Sequence, residues 1–140
     1  MPRMKLLLAV DGSKTSLDAV KHVIAHTDWF REPPEIELVT GHAQIPVPRF
    51  PGMSGIGKAQ MQEFYEEEGG KRLAEAKRLL DQAGMRYTAR VLVGPIGEVI
   101  AQHAKKARCD LIVLGAPQAI FGSTCTKVMQ LAELPVLLIK

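Results

Sequence analysis

The chain has 140 residues and a mass of 15.3 kDa, which suits one domain, because two independent cores would each be very small. Hydrophobic residues make up 46% and charged residues 24%, a globular composition that argues against disorder. The net charge of +3 is spread over both signs without a basic block, and aromatics are only 5%, so neither a nucleic-acid surface nor a base-stacking platform is expected.

Strand and helix signals alternate along the chain. Leu6–Val10 is a short apolar run of the kind found in strands covered on both faces. The basic start before it reads as the lead into this strand and not as a signal peptide, since no small-residue cleavage pattern follows. Asp11-Gly12-Ser13 is a turn, with Ser13 placed to cap a helix whose apolar positions are Leu17, Val20, Val23, Ile24 and Thr27. Pro33-Pro34 breaks the chain, and Ile36–Val39 predicts a second strand. Residues 43–58 carry three prolines and three glycines and read as a long loop, a length usually reserved for function.

A long helix is expected over Ala59–Ala83, with Met61, Phe64 or Tyr65, Leu73, Ala76, Leu80 and Ala83 facing inward. Gly69-Gly70 should weaken it by about 1 kcal/mol per glycine, and Gly84 is placed to end it. Glu66-Glu67-Glu68 reads as a solvated face of this helix. Tyr87–Val93 alternates and predicts a strand, Gly94-Pro95 a turn, and Ile96, Val99, Ile100, His103, Ala104 and Ala107 a helix. Leu111–Leu114 is a buried strand ending at Gly115. Gly122-Ser123 opens a last helix near Thr124–Ala132, and residues 135–140 form the final strand.

Five strands alternating with four helices imply an α/β fold: an open parallel sheet, right-handed crossovers and helices on both faces. Ligands on such sheets sit beyond the carboxyl ends of the strands, where the strand order reverses. That rule points to Asp11-Gly12-Ser13, Thr40-Gly41-His42, Gly94 and the stretch from Gly115 to Thr124.

Taken together, Leu8–Ser16, Gly94–Ala101, Cys109–Gly115, Gly122-Ser123 with Lys127-Val128, and Leu134–Ile139 resemble the universal stress protein family in the right order over almost the whole chain. The resemblance implies a Rossmann-like, adenine nucleotide alpha hydrolase-like sheet in the order 3-2-1-4-5, a cytoplasmic homodimer and, in many members, bound ATP or AMP. Carried over by position, it implies nucleotide contacts at Ala9, Asp11, Thr40, Gly41, Gly94, Gly115, Gly122, Ser123 and Thr124. Asp11 would meet the adenosine end, Thr40 and Gly41 the base, and the glycine-rich stretch the ribose and phosphates.

The sequence departs from the family in that stretch. The signature reads glycine, two residues, glycine, nine residues, then glycine with serine or threonine. Only the six residues Ala116–Phe121 separate Gly115 from Gly122, so the loop is about six residues short. Pro117 has no N–H to offer a phosphate, Gln118 stands where the second glycine belongs, and Ala119, Ile120 and Phe121 are apolar. Gly122-Ser123-Thr124 still opens a helix, whose free N–H groups and positive end suit an anion.

The remaining chemistry-bearing residues read as structural. Cys109 and Cys125, sixteen apart, form no metal spacing or disulfide framework and are expected to be reduced packing residues. His22 and His26 are a solvated helix pair, His103 a satisfied half-buried histidine, and His42 a candidate for lining the cleft. No nucleophile elbow or Walker loop is present. The reading is therefore one domain over residues 1–140: a homodimeric stress-response protein with an adenine-nucleotide cleft, paired through the edge strand 136–139. No metal, nucleic-acid or membrane partner and no catalytic residue are expected. Two other readings stand beside it: an ATP-hydrolysing enzyme of the same fold, and a partner-binding module using the 43–58 loop.

Overall fold

The structure, a computed structural model, describes residues 3–45, 57–116 and 122–140. In chain order it consists of β1 (Lys5–Ala9), α1 (Lys14–Ala25), a single 3-10 turn (Thr27–Trp29), β2 (Glu35–His42), α2 (Lys58–Gln82), β3 (Tyr87–Val93), α3 (Ile96–Lys106), β4 (Leu111–Gly115), α4 (Ser123–Leu131) and β5 (Val136–Ile139). The strands form one sheet in the order β3-β2-β1-β4-β5, parallel at every pairing. This is the expected architecture.

β1 lies at the centre because its run is apolar on both faces: Leu6, Leu7 and Leu8 are all fully buried. Leu6 and Leu8 pack with Val20 of α1 and Leu73 and Leu80 of α2, and Leu7 packs with Ile100 of α3 and Val128 of α4. Each face of the sheet therefore has its own core, roofed by two helices.

Ser13 caps α1 as expected, its side-chain oxygen accepting from the Ser16 N–H at 3.3 Å. The buried face of α1 is Ser16, Ala19, Val20 and Val23, with Leu17 and Ile24 only half buried. Small residues at 16 and 19 let the helix settle close to the sheet, which rotates its inner face away from the larger apolar side chains. Thr27 falls outside the helix, in the 3-10 turn.

β2 runs longer than Ile36–Val39, because β3 keeps offering partners through the pair His42↔Val93. α2 buries Tyr65, Gly69, Leu73, Ala76 and Leu80, whereas Phe64 is exposed and Ala83 is the exposed C-cap. The helix ends through a paired turn: Gly84, at φ +67, donates to Asp81 and Met85 donates to Leu80. Gly69 has a packing reason that helix propensity hides. A Cβ there would sit 2.3 Å from Val91 Cγ2, so only glycine lets α2 touch β3. Gly70 has nothing within 4 Å of its would-be Cβ.

One polar cluster interrupts the sheet. Glu37, 3% exposed in the middle of β2, accepts from Thr88 Oγ1 at 2.5 Å, Arg90 Nε at 2.8 Å and His103 Nε2 at 2.8 Å, with Lys5 Nζ at 3.9 Å. His103 is thus the half-buried, satisfied histidine that its place on the apolar stripe predicts. Burial pushes the Glu37 carboxyl up, but the hydrogen bonds from Thr88, His103 and Arg90 outweigh it and hold the group below its ordinary 4.5.

Gly70→Ala is expected to stabilise the fold by about 1 kcal/mol through helix propensity. Gly69→Ala should instead destabilise it by about 1–3 kcal/mol through overpacking against Val91, a contrast that urea denaturation of the two variants reads directly. Because the folded-state pKa of Glu37 lies below its unfolded value, its contribution is present above pH 4.5 and is lost as the pH falls through the folded value. The stability gap between wild type and Glu37→Gln should therefore shrink on acidification below 4.5, as measured by denaturation at a series of pH values.

Candidate functional site

β1 ends at Ala9, opposite Val39, while β2 continues to His42 and β4 to Gly115. The step leaves a cleft of about 470 Å³ above β1, within the range of small-molecule sites. Its apolar surface comes from Ala9, Val10, Ile96, Ile100 and Leu114, and its polar groups include Asp11, Ser13, Arg72, Ser123 and Thr124.

Of the residues singled out from the sequence, the cleft brings together Ala9, Asp11, Gly41, Gly115, Gly122, Ser123 and Thr124. Thr40 and Gly94 do not line it. Thr40 is fully buried, because alternation along β2 turns its side chain to the opposite face from that of Val39; its hydroxyl has no hydrogen-bond partner among the described residues. Gly94, at φ +140, serves the turn after β3 and donates its N–H to the His42 carbonyl at 3.0 Å. Nor is His42 a lining residue. It donates Nδ1–H to the Ala43 carbonyl at 2.7 Å and packs edge-on against Tyr65, whose hydroxyl accepts from the Ile45 N–H.

Asp11 stands at the lip. The Ser13 N–H donates to its Oδ1 at 2.9 Å, closing the turn into α1. Partial burial pushes the carboxyl up, but hydrogen bonds from Ser13 and Ser16 more than reverse this, so Asp11 is a carboxylate at neutral pH.

At the other side of the cleft α4 begins without a side-chain cap. Gly122 is its N-cap and carries no side chain to offer, and the helical ladder starts with Thr126 donating to the Gly122 carbonyl. Among the described residues, the first-turn N–H groups of Ser123, Thr124 and Cys125 have no backbone or capping side-chain partner. A Cβ on Gly122 would meet nothing within 4 Å.

Gly115 is different. A Cβ there would lie 2.4 Å from the Thr15 carbonyl oxygen and 3.0 Å from Ser16 Cα. The glycine is needed for the close approach of α1 to β4. Pro117, Gln118, Ala119, Ile120 and Phe121 lie outside the described residues, as do 46–56 of the expected 43–58 loop.

The residue that sequence reasoning missed is Arg72. Its Nη1 donates to the Gly41 carbonyl at 2.8 Å, and it is the one cation lining the cleft among the described residues. No local pattern marks it, since its partner lies thirty-one positions away.

The cysteines are free. Burial pushes the Cys109 thiol up to about 11, and burial with the nearby Asp11 charge raises that of Cys125, so neither is a thiolate nucleophile at neutral pH. His22 and His26 form more than a solvated pair: both are half-buried, their rings stack at 4.1 Å, and Trp29 packs on both. Among the described residues no group of three or more His, Cys, Asp or Glu is placed to hold a metal, and no helix is long and apolar enough to cross a membrane.

The model of the universal stress protein family matches residues 2–140. A universal stress protein of Methanocaldococcus jannaschii is 29% identical over 143 residues, spanning 97% of this chain and 81% of that protein. Among solved structures, the universal stress protein from Archaeoglobus fulgidus in complex with dAMP superposes with a TM-score of 0.68 at 20% identity, covering 100% of both chains. A universal stress protein family protein from Arabidopsis thaliana with AMP bound gives 0.70 at 18% identity, over 98% of this chain and 91% of that one. At these identities the structural likeness speaks for the fold.

Proposed function

The chain belongs to the universal stress protein family, and from that premise we propose that it is a stress-response protein of one domain, residues 1–140, that acts by binding an adenine nucleotide in the cleft above β1. The observation that carries this reading is the cleft itself. A carboxylate, Asp11, and the uncapped start of α4 share one concave site with an apolar floor. Relatives of the same fold are described in complex with AMP and dAMP.

The residues present suit such a ligand in part. Asp11 would meet the adenosine end, and the Gly41 end of β2 the base. The N–H groups of Ser123 and Thr124 at the positive end of α4 would meet the phosphates. Gly115 lines the same cleft, with α1 packed against the side where a side chain would stand. The start of α4 carries the proposed phosphate contacts.

Binding and not catalysis is the proposed mode. Phosphate hydrolysis needs a metal-holding carboxylate beside the phosphates and a base. Asp11 is the one carboxylate lining the cleft among the described residues, and its Oδ1 is engaged by Ser13. The two free cysteines suit a reducing compartment, which supports a cytoplasmic location. β5 is an edge strand with three half-buried residues, and pairing with β5 of a second copy would cover that edge in an isologous dimer.

Calorimetric titration with AMP and ATP is expected to give a dissociation constant tighter than about 100 μM for AMP, weakened about tenfold in Asp11→Ala. Absence of binding at about 1 mM would overturn the nucleotide reading. Phosphate release above blank that disappears in Asp11→Ala would replace binding by hydrolysis. Light scattering at tens of micromolar should report twice the 15.3 kDa chain mass, and a monomer alone at that concentration would reject the β5 pairing.

A further inference from the structure

The nucleotide cleft lies at the carboxyl ends of the strands. A second concavity, of about 660 Å³, lies at their amino ends. It is lined by Arg3 and Met4, which lead into β1, by the segment Trp29–Glu32 between α1 and β2, and by Asp110 just before β4. Its volume falls within the range of small-molecule sites. Two large apolar side chains that the fold leaves outside its cores line it: Trp29, 56% exposed, and Met4, 39% exposed. Phe30, packed against the core on the α1 face of the sheet, completes the apolar wall.

This wall is held from both ends. The Trp29 indole rests on the rings of His22 and His26, at centroid distances of 5.5 and 4.6 Å. Its backbone N–H donates to the His26 carbonyl at 3.0 Å, and that of Phe30 to the Thr27 carbonyl at 3.1 Å. Further on, Pro33-Pro34 restricts the backbone, and the Glu35 N–H donates to the Met4 carbonyl at 2.9 Å, which ties the segment to the lead into β1. An indole held at the surface in this way costs a ligand little ordering entropy.

The charges beside the wall leave one group over. The Glu32 carboxylate is paired with Arg3 Nε at 3.4 Å, and that of Asp110 accepts from the Lys5 N–H at 2.8 Å. Arg31, exposed on the same rim, has no hydrogen bond or ion pair among the described residues. Two carbonyls of the last turn of α1, whose negative end would oppose an anion, are already bonded: His26 donates Nδ1–H to His22 at 2.8 Å and its backbone N–H to Val23 at 3.2 Å.

An apolar wall beside one uncommitted guanidinium is complementary to an apolar body that carries one anionic group. A small inorganic anion would leave the indole bare, and a neutral apolar molecule would leave Arg31 unused. We propose that this concavity is a second ligand site, separate from the nucleotide cleft, for a small apolar carboxylate. Its chain or ring lies against Trp29, Met4 and Phe30, and its carboxylate pairs with the planar fork of Arg31.

Trp29 is the one tryptophan of the chain, so its emission reports on this site. Octanoate and 1-octanol share an alkyl chain and differ in charge, and neither absorbs where indole is excited. Octanoate at neutral pH is expected to shift Trp29 emission saturably, with a dissociation constant below about 1 mM. 1-Octanol should bind at least about fivefold more weakly. In Arg31→Gln, octanoate should fall to the level of the alcohol. In Met4→Glu, which sets a like charge in the wall, saturable octanoate binding should be lost. Thermal melts establish that each variant is folded, and Arg31→Gln alone carries the test if Met4→Glu is not. The proposal is overturned by no saturable change with octanoate up to about 5 mM, or by equal affinity for the two probes. A preference for octanoate that survives in folded Arg31→Gln, or octanoate binding unchanged in folded Met4→Glu, overturns it equally.

Discussion

β1 fills the middle of the sheet with side chains that are apolar on both faces, and it stops before the strands beside it do. Leu6, Leu7 and Leu8 hold the two cores together, so β1 is fixed in register with both β2 and β4. Once it ends at Ala9, the chain must turn away through Asp11-Gly12-Ser13 into α1. The neighbouring strands keep going. The cleft, its carboxylate lip and a Gly41 carbonyl that meets Arg72 and no strand N–H all follow from that early stop. A parallel sheet buried on both faces commonly places its crevice at such a reversal. Here the crevice is made by the central strand stopping early.

The two ends of the cleft are built on different physical terms. At the α4 end the described residues offer backbone N–H groups at the positive end of the helix and the side chains of Ser123 and Thr124, and Gly122 has no side chain to cap the helix. At the β2 end it offers a full charge, Arg72, already committed to one bond. Between them the surface is aliphatic. A ligand with an anionic tail and a flat ring carrying mixed donors and acceptors suits this gradient better than a small symmetric anion, which could use only one end.

The alternating architecture was legible because apolar runs and helical periodicity are local, and they agreed with tertiary packing. The Ser13 cap and the Gly84 stop were legible for the same reason. What stayed hidden was long-range. Glu37 sits inside the run Ile36–Val39 and reads as a minor interruption, until Thr88, Arg90 and His103 arrive from two other elements. The extension of β2 through His42 depends on β3, about fifty residues later in sequence. Gly69 reads as a helix weakness, since propensity knows nothing of Val91. In the cleft, the positions carried over from the family resemblance were largely neighbours in space. Gly115 both lines the cleft and lets α1 pack closely on β4, a second duty that only the fold reveals. Arg72, on a helix with an unremarkable charge pattern, could not be found without the fold.

Gly69 and Arg72 are three positions apart on α2, close to one turn. The first sets how near the helix axis stands to the sheet at Val91, and the second reaches from the same stretch of helix to the end of β2. The glycine therefore acts as a spacer that fixes the length of the arginine's reach. Thickening the contact at position 69 would lift this part of α2 off the sheet and draw the guanidinium back from Gly41, with no change to any residue of the cleft. The place of the one cation lining the cleft among the described residues is in that sense a matter of stand-off distance, set on the opposite face of the sheet from Ile96 and Ile100.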